Sequence, residues 1–278
     1  MSTRYKLLIF YILFIALMQC SKETTGPSSE DFRYPLTAGN TWTYARTITQ
    51  TYEITSGERP PDSSSSIITI KSMGQETLFD SLKTIKLMEM IETDQAMQTH
   101  YHFYQNKGDA LYLVASVGAP VALPKQMANS TSNPIPSLSG LSYANLSLMN
   151  SAIIISPDSL YVEQPTKIVL KYPLTAGMEW KYSERNKPRR ANKRVLGETD
   201  VKTFAGTFTA VPVQWLVDFD GDGDFDNNIE YIDYIANEGL VKRSFLINNL
   251  PIVDDDGTII GLYDYLDVSV LTSANVNN

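Results

Sequence analysis

The chain has 278 residues, with 31 acidic against 23 basic side chains and a formal net charge of −8. That length leaves room for one large β domain or two smaller ones, and the acidic balance excludes general nucleic-acid binding. Sixteen tyrosines with abundant Thr, Val and Ile favour strands over helices, and cysteine occurs once, at position 20.

At the N-terminus, Arg4 and Lys6 precede an apolar run from Leu7 to Met18. The run is short for an ordinary membrane-spanning helix and reads as an export signal. No second long apolar run follows. Leu17 and Cys20 resemble the lipobox of bacterial lipoproteins, although Gln19 stands where a small residue is usual. The resemblance implies removal of residues 1–19 and acylation of Cys20, with palmitate among the expected chains. A lone thiol in an exported protein otherwise has no disulfide partner. More than one acyl chain makes such an anchor stable. The implied location is the bacterial cell envelope, lipid-anchored at the outer membrane or periplasmic face, with surface exposure as a further destination. Losing residues 1–19 removes two basic residues and no acidic ones, taking the net charge to −10. Residues 20–31 are polar and aperiodic, contain Gly26 and Pro27, and read as a flexible tether.

The rest, 32–278, reads as β-rich. From Thr41 to Ile54 the even positions carry Trp42, Tyr44, Ile48, Tyr52 and Ile54, and the odd ones are mostly Thr, a period of two with one buried face. Gly57–Ser66 reads as a flexible excursion. His100–Gln105 and Ala110–Ala115 flank Asn106-Lys107-Gly108-Asp109 as a hairpin. His100 and His102 share a strand face, but no third metal ligand is indicated, and exposed or capped histidines are the expectation. The stretch 117–149 reads as an irregular connection between two β halves, 32–116 and 150–278. Arg185–Arg194 holds six basic residues in ten. It reads as a solvated hairpin loop, with lipid phosphates or an acidic partner as the alternative contact. Val211, Val213, Trp215 and Val217 line one face of a strand. Leu262, Leu266, Val268 and Val270 do so near the C-terminus, with Asp264 as the exception. The expected class is all-β and mostly antiparallel.

One repeat organises the domain. Tyr34–Tyr44 (YPLTAGNTWTY) and Tyr172–Tyr182 (YPLTAGMEWKY) agree at eight of eleven positions across an offset of 138 residues. Each copy reads as a turn, set by Pro and Gly, that launches a strand and stakes it to the core with an aromatic pair. With Ala205-Gly206-Thr207-Phe208 and Gly239-Leu240-Val241, the order resembles a family of uncharacterised bacterial secreted and lipid-anchored proteins. The resemblance covers about residues 34–270 and implies curved antiparallel sheet, as a half-barrel or as two similar packed sheets. In outline that is similar to the half-barrels of lipoprotein-sorting carriers, by fold-level analogy alone.

Asp218–Asp226 reads DFDGDGDFD. Asp218, Asp220, Asp222, Gly223, Asp224 and Asp226 fall at positions one, three, five, six, seven and nine of a calcium loop, with the backbone carbonyl of Asp224 as the seventh-position donor. Position twelve is Ile229, with Glu230 one step late. Strand-like flanks exclude a helix–loop–helix, so the loop resembles the DxDxDG clips of extracellular β-hairpins, and calcium there would be structural. Asp254-Asp255-Asp256-Gly257 lacks the alternation and reads as a hairpin turn. No nucleophile elbow, phosphate-cradling glycine loop or mature-domain cysteine is present. The expected function is therefore non-enzymatic: a lipid-anchored envelope protein, structural or partner-binding, held to the membrane by Cys20. A carrier of a hydrophobic ligand on the concave face is the alternative, and a hydrolase with paired carboxylates is the third.

Overall fold

The computed structural model describes residues 26–54, 57, 59–117, 160–183, 190–218, 222–254 and 256–277. The signal segment, Cys20 and most of the expected 117–149 connection lie outside the described residues.

Thirteen strands follow in chain order: β1 (Thr41–Ile54), β2 (Asp62–Leu78), β3 (Leu82–Glu92), β4 (Met97–Asn106), β5 (Ala110–Val117), β6 (Leu160–Lys171), β7 (Glu179–Ser183), β8 (Arg190–Val195), β9 (Thr199–Thr203), β10 (Gly206–Asp218), β11 (Ile229–Ala236), β12 (Gly239–Val253) and β13 (Ile259–Asn275). They form one antiparallel sheet in the order β6-β5-β4-β3-β2-β1-β13-β12-β11-β10-β8-β7, with β9 paired to β10. The fold is all-β, as the sequence leads one to expect, and it is a single sheet rather than two packed ones. The ladder between β1 and β13 joins β1–β6 to β7–β13.

The sheet curls until its outer strands face each other. Trp180 of β7 donates its indole N–H to the Ile168 carbonyl of β6 at 2.9 Å. Lys193 of β8 donates Nζ to the Val169 carbonyl at 2.9 Å. Among the described residues, side chains rather than a backbone ladder bring the edges together, and the result is barrel-like. Curling disposes of the exposed edge that a long flat sheet would present.

Strand polarity gives this body two ends. One, the staked end, gathers the start of β1, the β2–β3, β4–β5 and β11–β12 turns, the tip of the β9–β10 hairpin and the C-terminus. Both repeat copies lie here and use the same bonds. Gly39 N–H reaches the Ser72 carbonyl at 2.9 Å and Gly177 N–H the Val195 carbonyl at 2.8 Å. The carbonyls of Asn40 and Met178 accept in return from Ser72 and Val195 at 2.8 and 2.9 Å. Gly39 and Gly177 hold φ of 91° and 83°, the left-handed geometry that suits glycine. Trp42, Tyr44, Trp180 and Tyr182 are all buried. Each aromatic contributes about 2–3 kcal/mol through the area it removes from water.

The copies differ where Asn40 meets Met178. Asn40 is fully buried, donates to the Pro35 carbonyl at 3.0 Å and accepts from the Asn277 N–H at 2.8 Å, so it ties down the C-terminus. The closing Gly239-Leu240-Val241 completes the first copy. Leu240 N–H donates to the Tyr34 hydroxyl at 3.2 Å, and the Tyr44 hydroxyl donates to the Leu240 carbonyl at 3.0 Å.

β10 buries Val211, Val213, Trp215 and Val217 as the alternation predicts. β13 reverses the expectation. Its inward residues are Tyr263, Tyr265, Asp267, Ser269 and Leu271, and Leu266 lies on the outer face, 36% exposed. Alternation defines two faces but does not say which is inside, and pairing with β1 decided it. Ile48 lies opposite Asp267 and Tyr52 opposite Tyr263, so the odd-numbered side of β13 shares the inner face with Trp42 and Tyr44.

Candidate functional site

The inner face carries two continuous features. The first is a row of rings, one from each of β7, β10, β11, β12 and β13. Tyr182, Trp215, Tyr231, Phe245 and Tyr265 follow with centroid spacings of 4.7, 4.8, 5.3 and 6.0 Å. Trp215 and Tyr231 stack at 1° and the others meet edge-on, the arrangements that ring quadrupoles favour.

The second is a belt of buried ions. Arg46 of β1 makes a forked pair with Asp267 of β13, with Nη2 at 2.6 Å and Nε at 3.0 Å. Arg243 of β12 donates Nε to Asp233 of β11 at 2.6 Å. Asp233 also accepts from the Trp215 indole at 2.8 Å and lies 3.9 Å from Lys193 Nζ. Lys193 has no exposed surface and sits 3.5 Å over the Trp215 ring. On the facing strands, Glu89 of β3 meets His102 of β4 at 3.2 Å, both almost without exposed surface.

Burial and partners pull these groups in opposite directions. Burial pushes the Lys193 ammonium down from 10.5 to about 7, and Arg243 adds to the fall while Asp233 opposes it. Burial works against the ionised forms of Asp233 and Glu89, yet both remain below the usual carboxylate range. Arg243 and Lys193 hold Asp233 there, and His102 holds Glu89. Burial lowers His100 and raises Tyr104, Tyr182 and Tyr231 far above the usual phenol. His100 Nε2, His102 Nδ1 and the Tyr104 hydroxyl, in register on β4, are buried without a protein hydrogen-bond partner.

The histidines expected to be exposed or capped are thus inside the barrel. The basic run is corrected in part as well. Lys193 is at its end and is interior, whereas Arg190 and Arg194 are exposed and residues 184–189 lie outside the described ones. Lys193 was missed because a basic residue in a basic run reads as solvated. The available signal was its spacing: Ala191, Lys193 and Val195 alternate inward.

At the opposite, acidic end, the β10–β11 connection holds the predicted calcium residues. Asp220 lies outside the described residues. Asp218 is 3% exposed and pairs with Arg190 Nε at 3.3 Å. Asp222 Oδ1 caps the Asp224 N–H at 2.8 Å, while Asp226 donates its N–H to the Val217 carbonyl at 2.8 Å. Arg190 Nη2 also donates to the Gly223 carbonyl, and the guanidinium lies 4.3 Å over the Phe225 ring. Among the described residues, no three Asp, Glu, His or Cys side chains converge as a metal cage. Arg190 already engages the Asp218 carboxylate, an oxygen that a cation here would use.

No family profile and no curated protein matches this chain. Two solved structures align with it. One is a candidate lipoprotein from Parabacteroides distasonis ATCC 8503, 15% identical over 88% of this chain and 100% of that one, with a TM-score of 0.33. The other is a candidate exported protein with a YmcC-like fold from Bacteroides fragilis NCTC 9343, 12% identical over 88% and 99%, also at 0.33. A likeness that loose carries no argument about this chain.

Proposed function

We propose that this is a non-enzymatic, lipid-anchored protein of the bacterial envelope, whose barrel is a rigid body offered to a protein partner or built into envelope structure. Membrane attachment rests on Leu17 and Cys20 behind the export signal. The observation that carries the non-carrier reading is the inner belt of Arg46, Asp267, Arg243, Asp233 and Lys193 beside the five-ring row. An acyl chain laid along that face would leave buried charges facing hydrocarbon, a cost of several kcal/mol. The same belt argues against catalysis. Its acids and bases are engaged with one another and shielded from substrate, and a reacting group needs access.

Calcium at the acidic loop would be a structural clip, using Asp218, Asp220, Asp222 and Asp226 with the Asp224 carbonyl after Arg190 withdraws. Native mass spectrometry of the mature protein, purified gently from membranes, tests the reading. Expected are the covalent acyl mass on the Cys20 peptide and a calcium adduct that a chelator removes. A second, non-covalent lipid-sized adduct would overturn the non-carrier reading, and an unmodified Cys20 would overturn anchoring.

A further inference from the structure

The staked end is where the chain enters from Cys20. Residues 26–32 run along it, from Ser28, whose hydroxyl donates to Glu198 at 2.5 Å, to Phe32, which packs edge-on against Tyr172 at 5.8 Å. Only six peptide units separate Cys20 from Gly26, a reach of about 20 Å when fully extended. β13 alone has 17 residues. At about 3.3 Å per residue and a tilt near 40°, the body is roughly 40 Å from end to end. If Cys20 is the anchor, the acidic end cannot touch the same bilayer while residues 26–32 stay in place.

Two hairpins at the staked end carry exposed aromatic tips. Phe79, in the β2–β3 turn, is 59% exposed, and Phe204, in the β9–β10 turn, is 78% exposed. Phe79 and Asp80 hold φ of 50° and 61°, a tight turn that fixes the ring at the tip. Lys83 and Lys202, both exposed, follow and precede these rings by a few residues. The exposed Asp80 adjoins Phe79, so the tips are of mixed charge where the acidic end is predominantly negative. Exposed Phe beside Lys is the combination that settles at the headgroup boundary of a bilayer. The acidic end also exposes apolar side chains, Met97 and Ile259. Its neighbours, however, are Asp94, Asp254, Asp256 and the Asp218–Asp226 loop, which anionic headgroups repel.

We propose that the staked end is a membrane-docking face, with Phe79 and Phe204 seated in the headgroup region of the bilayer that holds Cys20. The inference rests on the anchoring reading above. Docking sets the orientation of the whole barrel and turns the acidic end toward the aqueous space, where a partner would meet it.

The experiment uses the lipidated mature protein in phosphatidylethanolamine/phosphatidylglycerol liposomes with brominated acyl chains. The three native tryptophans, Trp42, Trp180 and Trp215, are buried, so an introduced indole reports the tip. Phe79→Trp and Phe204→Trp are expected to lose at least half of the added emission in brominated lipid, and Ile259→Trp at the acidic end to be unchanged. No quenching at either Phe position, or equal quenching at Ile259→Trp, overturns docking. Flotation of wild type against Cys20→Ser is read in parallel and separates the two hypotheses. A wild type that fails to float refutes the anchor, whereas one that floats with unquenched tips refutes the docking face alone.

Discussion

The two ends of the barrel are built from opposite materials. At the staked end, backbone groups of turns and termini are satisfied by buried side chains: Asn40 holds the C-terminus, Tyr34 and Tyr44 clamp Leu240, and Asn106 donates to the Tyr34 carbonyl at 2.9 Å. At the acidic end, the β10–β11 loop is held by an exposed arginine and Asp-capped turns. Contacts of the first kind are expensive to break, because removing one partner strands a buried polar group. In those of the second kind water reaches the guanidinium, so their loss is milder. The contrast suits a body fixed at one end and variable at the other, and between the two runs the buried ion belt.

Breaking the belt should have the largest effect. Asp233→Leu leaves Arg243 and Lys193 buried without their carboxylate, at a cost of about 3–5 kcal/mol. Thermal unfolding should show it as a fall of roughly 10 °C or more. The triple change Asp233→Leu, Arg243→Met, Lys193→Met should recover most of that loss, because it removes the charges together. A triple variant as unstable as the single one would mean that shape, not charge, governs the site.

Gly239→Ala attacks the staked end. The added Cβ would lie 2.9 Å from the Tyr34 hydroxyl and 3.3 Å from the Trp42 indole nitrogen, at a φ of 102°. Strain and overpacking together should cost about 2–4 kcal/mol in chemical denaturation. Gly223→Ala, at a φ of 104° in the acidic loop with open space around the new Cβ, should cost about half as much. Equal losses at the two glycines would erase the contrast between the ends.

The pH profile sharpens the comparison further. Lys193 binds its proton more weakly folded than unfolded, so between about pH 7 and its ordinary value of 10.5 the unfolded chain holds more protons. Stability should therefore rise with pH through that window and lose this contribution below about 7. Lys193→Met should flatten the rise in urea titrations from pH 6.5 to 9.5. An identical slope in the variant would show that other groups control it.

The smallest effects belong to the acidic loop. Arg190→Gln should change unfolding by less than about 1 kcal/mol. If the guanidinium competes with calcium, it should also tighten calcium binding by about tenfold in calorimetry, equivalent to ~1.4 kcal/mol. Unchanged or weaker affinity would mean that Arg190 supports the site instead.

Much of the fold is legible along the chain because strands declare themselves by local alternation. The rows of β1 and β10, the hairpin at Asn106–Asp109 and the two YPLTAG turns need no distant partner to be recognised. The inner belt was not legible, for a physical reason. Arg46 stands at an even, inward position of β1 and breaks its apolar row, and its justification, Asp267, lies 221 residues away. Asp267, Asp233 and Glu89 read as surface charges until their partners are in place.

The amino-acid order alone determined the all-β class and the turns that launch β1 and β7, since each depends on chemistry within a dozen residues. Tertiary structure alone decided that the sheet is single and curls edge to edge, that the odd side of β13 faces inward, and that Lys193 and the histidines are interior. Those outcomes depend on pairings between strands remote in sequence, where burial penalises a charge and a partner across the barrel restores it.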